Sequence, residues 1–133
     1  MKDEYEGAYA NAAAWYESIK EMVAALTEAA NTPDREAAEN SIHESALSVE
    51  VRTGWRLAVG AEDDKPTEYR ILLTTGGPAL QLVGELNEHG EPETAELQMQ
   101  DWGLPWQKWA PTPLDMKYAE TLLTFARCFY FGE

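Results

Sequence analysis

His43 and Glu44 come nearest to a catalytic signature in this sequence. In the His-Glu-x-x-His pattern of zinc peptidases, two histidines one helical turn apart share a face and grip the metal. Leu47 holds the second histidine position, so the pair is broken. The only other histidine is His89 and the only cysteine is Cys128. That is too few for a structural zinc site, which needs about four such ligands. Arg127 adjoins Cys128, but neighbours on a helix point different ways and cannot activate one another. Ser41 and Ser45 flank His43 without a Gly-x-Ser-x-Gly elbow. Gly76-Gly77 is followed by no lysine, serine or helix start, so it reads as a hairpin turn and not a phosphate loop. The expectation is no transition metal, no nucleotide, no cofactor and no catalytic residue. Carboxylates are the exception in number, with 24 acidic side chains. A carboxylate-dependent hydrolase would need two or more of them converging in a cleft, which spacing alone does not show.

Two other groupings suit binding. Between Arg70 and Lys108 there is no lysine or arginine but there are six acids: Glu85, Glu88, Glu91, Glu93, Glu96 and Asp101. On a hairpin, Glu85 and Glu96 fall on the outward faces of the strands, with Glu88, Glu91 and Glu93 on the turn between them. Duplex DNA carries one charge per roughly 1.7 Å of axis, so such a negative surface can occupy a cleft built for phosphates. The competing role is protective, since charged hairpins deter edge-to-edge pairing of sheets. The second grouping is Asp101 to Trp109, with Trp102, Trp106 and Trp109 in nine residues. Exposed, these rings would anchor a partner. Buried, they would seal the core where the chain crosses from sheet to helix.

The charge balance narrows the partners. Ten basic against 24 acidic side chains give −14. Such a chain repels nucleic acid and anionic membranes, and favours a basic partner or the basic cleft of a nucleic-acid-binding protein. The same charge also serves solubility. Hydrophobic residues make up 44%, enough to build a core in a single domain spanning residues 1–133. No apolar run approaches the roughly 20 residues of a membrane helix. The acidic start Met1-Lys2-Asp3-Glu4 shows no secretory signal, and a lone cysteine suits a reducing cytoplasm.

Period and punctuation give the elements. Ala8, Ala12, Trp15, Ile19, Met22 and Leu26 recur in steps of four and three, predicting a helix over 5–30. Thr32 and Pro33 predict a second helix to about His43, with threonine as its cap. Leu47, Val49 and Val51 alternate with polar residues, predicting a half-buried strand that Gly54 ends, and 60–67 is a polar loop. Further strands are predicted over 69–75, 80–86 and 94–101, joined by short turns as an antiparallel meander. Leu80, Leu82, Leu86, Ala95, Leu97 and Met99 are its inward residues. The segment 102–113 is rich in tryptophan and proline and reads as irregular. Thr112-Pro113-Leu114-Asp115 starts a final helix to about Phe131, with the stripe Leu114, Tyr118, Leu122, Phe125 and Phe129 and with Gly132 as its cap. The fold expected is α+β: a four-stranded antiparallel sheet with two N-terminal helices and one C-terminal helix packed on one face.

Three stretches carry a resemblance. Ile42-His43-Glu44-Ser45-Ala46-Leu47-Ser48-Val49-Glu50-Val51-Arg52, then Ile71 to Leu86 around Thr75-Gly76-Gly77-Pro78, then Gln100-Asp101-Trp102-Gly103 resemble a family of small proteins encoded by bacteriophages, prophages and plasmids. The similarity covers roughly residues 40 to 130, and no catalytic residues come with it. It implies a mobile element acting in the cytoplasm of a bacterial host, a setting in which small acidic proteins include anti-CRISPR and anti-restriction inhibitors. Together with the acidic hairpin, it makes a non-enzymatic inhibitor and DNA mimic the leading expectation. An accessory protein of phage or plasmid assembly is the next, and a small carboxylate-dependent hydrolase the third.

Overall fold

A computed structural model describes residues 5–53, 66–76, 78–101 and 103–131. Gly54, the stretch 60–65, Gly77, Trp102 and Gly132, to which the sequence assigns a strand end, a loop, turns and a cap, lie outside the described residues. Helix α1 spans Glu6–Ala29 and buries Ala8, Ala12, Tyr16, Ile19, Leu26 and Ala29. The stripe therefore runs through Tyr16, while Trp15 and Met22 flank it half-buried against the core. Asn31 ends the helix in the left-handed region at φ 68°, a conformation asparagine tolerates. The Thr32 hydroxyl then donates to the Ala29 carbonyl at 2.6 Å and accepts the Asp34 N–H at 3.2 Å. Helix α2 runs over Arg35–Ser45, with Asp34 at its cap position. Thr32 thus shapes the turn between the helices but does not cap the second one.

The sheet has five antiparallel strands in chain order: β1 Ser48–Arg52, β2 Glu68–Thr74, β3 Ala79–Glu85, β4 Glu96–Gln100 and β5 Gln107–Trp109. The expectation of four strands is corrected by β5, which pairs Leu97 with Trp109 and Met99 with Gln107. A three-residue strand is too short to show alternation, and it hides among tryptophans and prolines. Helix α3 is also shorter than its pattern, spanning Tyr118–Ala126. Leu114, expected on its stripe, is 68% exposed, because the chain turns over Asp115 before the helix begins. The Asp115 carboxylate accepts the Lys117 N–H at 3.0 Å, and its carbonyl accepts the Tyr118 N–H at 3.0 Å.

Side chains from one face of the sheet, including Ile71, Leu80, Leu82 and Leu97, join α1, Ile42 of α2 and Leu122 and Phe125 of α3 in one apolar cluster. Helix α1 lies against β3 and β4. That placement leaves β1 uncovered. Val49 and Val51 face the same side as their partners Ile71 and Tyr69, yet they are 37% and 41% exposed. Leu47 is exposed too. The half-buried strand of the sequence reading is, among the described residues, an exposed edge.

Helix α1 is tied to the α3 end of the chain by a polar bond. Tyr16 donates its hydroxyl to Asp115 Oδ2 at 2.6 Å. That bond, with the Lys117 N–H second, holds the Asp115 carboxyl below the usual carboxylate range. Burial, then the carboxylate, pushes the Tyr16 hydroxyl upward, so it stays a donor. A carboxyl depressed on folding adds stability above its unfolded pKa of about 3.9, and loses it as pH falls through the folded value. Asp115→Asn is expected to melt below the wild-type protein at neutral pH, with the gap closing in acid. Melting temperatures from about pH 7 to about pH 3 check this; a gap that stays constant would contradict it.

Candidate functional site: a polar groove and an acidic hairpin

Alternation sends the other half of each strand's side chains away from the helices. Strand β1 contributes Glu50 and Arg52, β2 Glu68 and Arg70, β3 Gln81, Val83 and Glu85, and β4 Glu96 and Gln98. With Thr94 and Ala95 they line an open groove of about 820 Å³. Four carboxylates and two guanidiniums face it.

The two halves of the groove differ. On the β1–β2 side, Arg70 pairs with Glu50 and Arg52 with Glu68, each across strands in register. These exposed pairs contribute little stability but neutralise that half. On the β3–β4 side a row of amides runs to a carboxylate. Gln81 Nε2 donates to Gln98 Oε1 at 2.7 Å, and Gln98 Nε2 donates to Glu96 Oε2 at 2.8 Å. Lys108 approaches Glu96 only to 3.8 Å. Gln81 is 4% exposed, and its Oε1 is a buried acceptor without a donor. Glu85 stands opposite Glu68 in register and makes no ion pair among the described residues. The sequence reading missed Gln81. The Glu-x-Arg spacing in both Glu50–Arg52 and Glu68–Arg70 foretells a charged outer face on β1 and β2 but does not point to this glutamine on β3.

The groove runs into the β3–β4 hairpin, whose turn is well fastened. Asn87 Oδ1 accepts the N–H groups of His89 at 2.8 Å and Glu91 at 3.0 Å. Gly90 takes φ 77°, which glycine allows without strain. Thr94 Oγ1 accepts the Glu85 N–H at 2.9 Å, and Arg127 donates to the Pro92 carbonyl at 3.2 Å, tying the ribbon to the end of α3. Glu88, Glu91 and Glu93 make none of these side-chain bonds and stand exposed. The structure therefore brings Glu85 and Glu96 into the groove and leaves Glu88, Glu91 and Glu93 exposed on the turn, outside its lining.

The tryptophans divide. Trp109 is 4% exposed and packed by the rings of Tyr9, Tyr16 and Tyr118 at 5.6–6.1 Å. As a surface anchor it is corrected: it is core, because β5 turns it inward beside Leu97. Trp106 is half-buried, and Trp102 is outside the described residues. Tyr118 bonds to the Trp109 carbonyl and accepts the Leu97 N–H at 3.0 Å; its hydroxyl is pushed up to about 12, chiefly by burial.

The remaining reactive groups are used structurally. His43 Nε2–H donates to the Cys128 carbonyl at 2.5 Å, and its ring packs on Phe129. The Cys128 thiol is half-buried, contacts the Thr124 carbonyl at 3.4 Å, and is pushed up by burial, which disfavours the nucleophilic thiolate. Among the described residues no three His, Cys, Asp or Glu side chains gather as a metal site. No helix among them is long and apolar enough to cross a membrane. Comparison with protein-family models, curated proteins and solved structures finds no match to this chain.

Proposed function

We propose that this protein is a non-enzymatic acidic inhibitor that binds a basic, nucleic-acid-handling host protein through the β3–β4 hairpin. The observation that carries the reading is a fastened turn presenting Glu88, Glu91 and Glu93 to solvent next to Glu85, with no ion pair to any of them among the described residues. A ribbon held by Asn87, Thr94 and Arg127 loses little freedom on docking, so its charges act as a preorganised substitute for phosphates. The resemblance to proteins of mobile elements points to a defence nuclease or effector complex as the target. A carboxylate hydrolase has weaker support: Glu68 and Glu85 do oppose one another, but Arg52 occupies Glu68.

Competition tests the proposal. The immobilised protein is expected to capture its target from a bacterial lysate, and excess duplex DNA is expected to release it. Retention of the target under saturating DNA would overturn mimicry.

A further inference from the structure

We propose that the β3–β4 half of the outer groove is a receptor for an arginine side chain, with Gln81 Oε1 as its buried acceptor. The inference rests on the reading of a basic partner only for who supplies that arginine.

The orientation of the amides is forced. The Glu96 carboxylate only accepts, so Gln98 must turn its NH₂ toward it and its oxygen toward Gln81. Gln81 must then give its NH₂ to Gln98, and its own oxygen is left over. Rotating either amide would set oxygen against oxygen. Buried acceptors without donors are rare in folded proteins and call for an explanation. Here the explanation is a donor brought by a ligand.

The charge of the groove says what kind of donor. Its two guanidiniums are already engaged by Glu50 and Glu68. The acceptors left over are Gln81 Oε1 and Glu85, beside Glu96, which accepts the Gln98 amide and meets Lys108 only at 3.8 Å, so its carboxylate keeps accepting capacity; all three lie on β3 and β4. The occupant is therefore cationic. Gln81 and Glu96 are diagonal neighbours, since Gln81 faces Gln98 and Val83 faces Glu96. Such positions lie roughly 7–8 Å apart. A guanidinium carries donors on more than one edge, so it can bond an amide oxygen and a carboxylate at once, whereas an ammonium is a compact point charge. It is also less strongly hydrated, which suits a half-buried site. Val83 supplies an apolar floor between the two acceptors for the methylene stem. Arg70 and Arg52 show that this face already accommodates guanidiniums.

The test uses the ¹⁵N-labelled protein and short capped Gly-Arg-Gly, Gly-Lys-Gly and Gly-citrulline-Gly peptides. The arginine peptide is expected to shift the side-chain amide signals of Gln81 and Gln98 saturably. The lysine and citrulline peptides are expected to bind at least about tenfold more weakly. Gln81→Leu is expected to lose at least about tenfold in affinity for the arginine peptide while keeping its circular dichroism. Val83→Arg, which fills the groove from its floor, is expected to abolish binding without touching Gln81. No saturable shift, an equal response to lysine and arginine, or full affinity in both variants would overturn the proposal. Glu88, Glu91 and Glu93 do not line the groove. Their reversal to lysine is expected to weaken target capture roughly 10- to 100-fold at low salt and to leave peptide binding within about twofold at physiological salt, since exposed charges outside the groove are screened over roughly 8 Å. Peptide binding without capture of a basic target would therefore sink the proposed function alone. Capture without peptide binding would sink the groove alone.

Discussion

Gly84→Ala is expected to destabilise the protein by about 3 kcal/mol or more, the largest effect we foresee for loss of a single methyl's worth of space. Gly84 sits opposite Tyr69 in the β2–β3 register. The Tyr69 phenol reaches past it and donates to the Thr94 carbonyl at 2.7 Å. A Cβ at Gly84 would fall 1.9 Å from that carbonyl oxygen and 2.7 Å from the Tyr69 hydroxyl. The first obstacle is backbone, so no rotamer change relieves it. Alanine must push the entry to β4 away from β3, which also breaks the Tyr69–Thr94 bond and strands a largely buried hydroxyl. Burial already pushes that phenol above its ordinary range. For a chain of this size the loss corresponds to a fall of roughly 10 °C in melting temperature. Thermal unfolding checks it, and a variant melting within about 2 °C of wild type would contradict the close approach. Tyr69→Phe keeps the ring against Phe131 and removes only the hydroxyl, so it should cost about 1 kcal/mol. In combination it should relieve part of the alanine penalty, because the two sites share a contact.

The second large effect is functional. Reversal of Glu88, Glu91 and Glu93 to lysine is expected to weaken target binding roughly 10- to 100-fold at low salt, mainly through a slower association rate. Exposed charges steer an encounter and are screened over roughly 8 Å at physiological ionic strength. The difference between variant and wild type should therefore shrink as salt rises. Folding should shift by no more than about 0.5 kcal/mol, since Asn87 and Thr94 supply the side-chain bonds of the hairpin and the three glutamates do not. Association rates measured across a salt series against the captured target decide the matter. An unchanged on-rate would return the negative charge to a solubility role.

Local pattern carried much of this fold into view. The 3.6-residue stripe placed α1 to within a residue or two, and alternation placed β2, β3 and β4 and the sides their leucines take. What pattern could not carry was coverage. Alternation assigns Val49 and Val51 to the helix-facing side, but their exposure follows from where α1 lies, across β3 and β4. The same limit applies to Tyr16, which adjoins the tryptophan that fits the spacing equally well and is chosen by its bond to Asp115. Strand β5 exists because Gln107–Trp109 meets β4, not because its three residues favour extension. In the site, the acidic hairpin was legible as a run of charge between turn residues. Gln81 was not, since a glutamine between leucines reads as an ordinary outward residue. Its burial and its spare oxygen depend on Gln98 and Glu96, which belong to another strand.

The bond between Tyr16 and Asp115 spans 99 residues of chain, and Trp109, another ring against Tyr16, arrives almost as late. During synthesis α1 emerges long before the elements that cover it have been made. At roughly 5–20 residues per second, the wait is on the order of 5–20 s. Helix α2 is the only early companion among the described elements, because α1 otherwise packs on β3, β4 and α3. A nascent chain of this protein therefore carries an amphipathic helix covered only by α2 until β3, β4 and α3 have been made. That stage, more than the finished fold, is where its apolar stripe is open to non-native contact, and closure of the corner between α1, β5 and α3 marks its end.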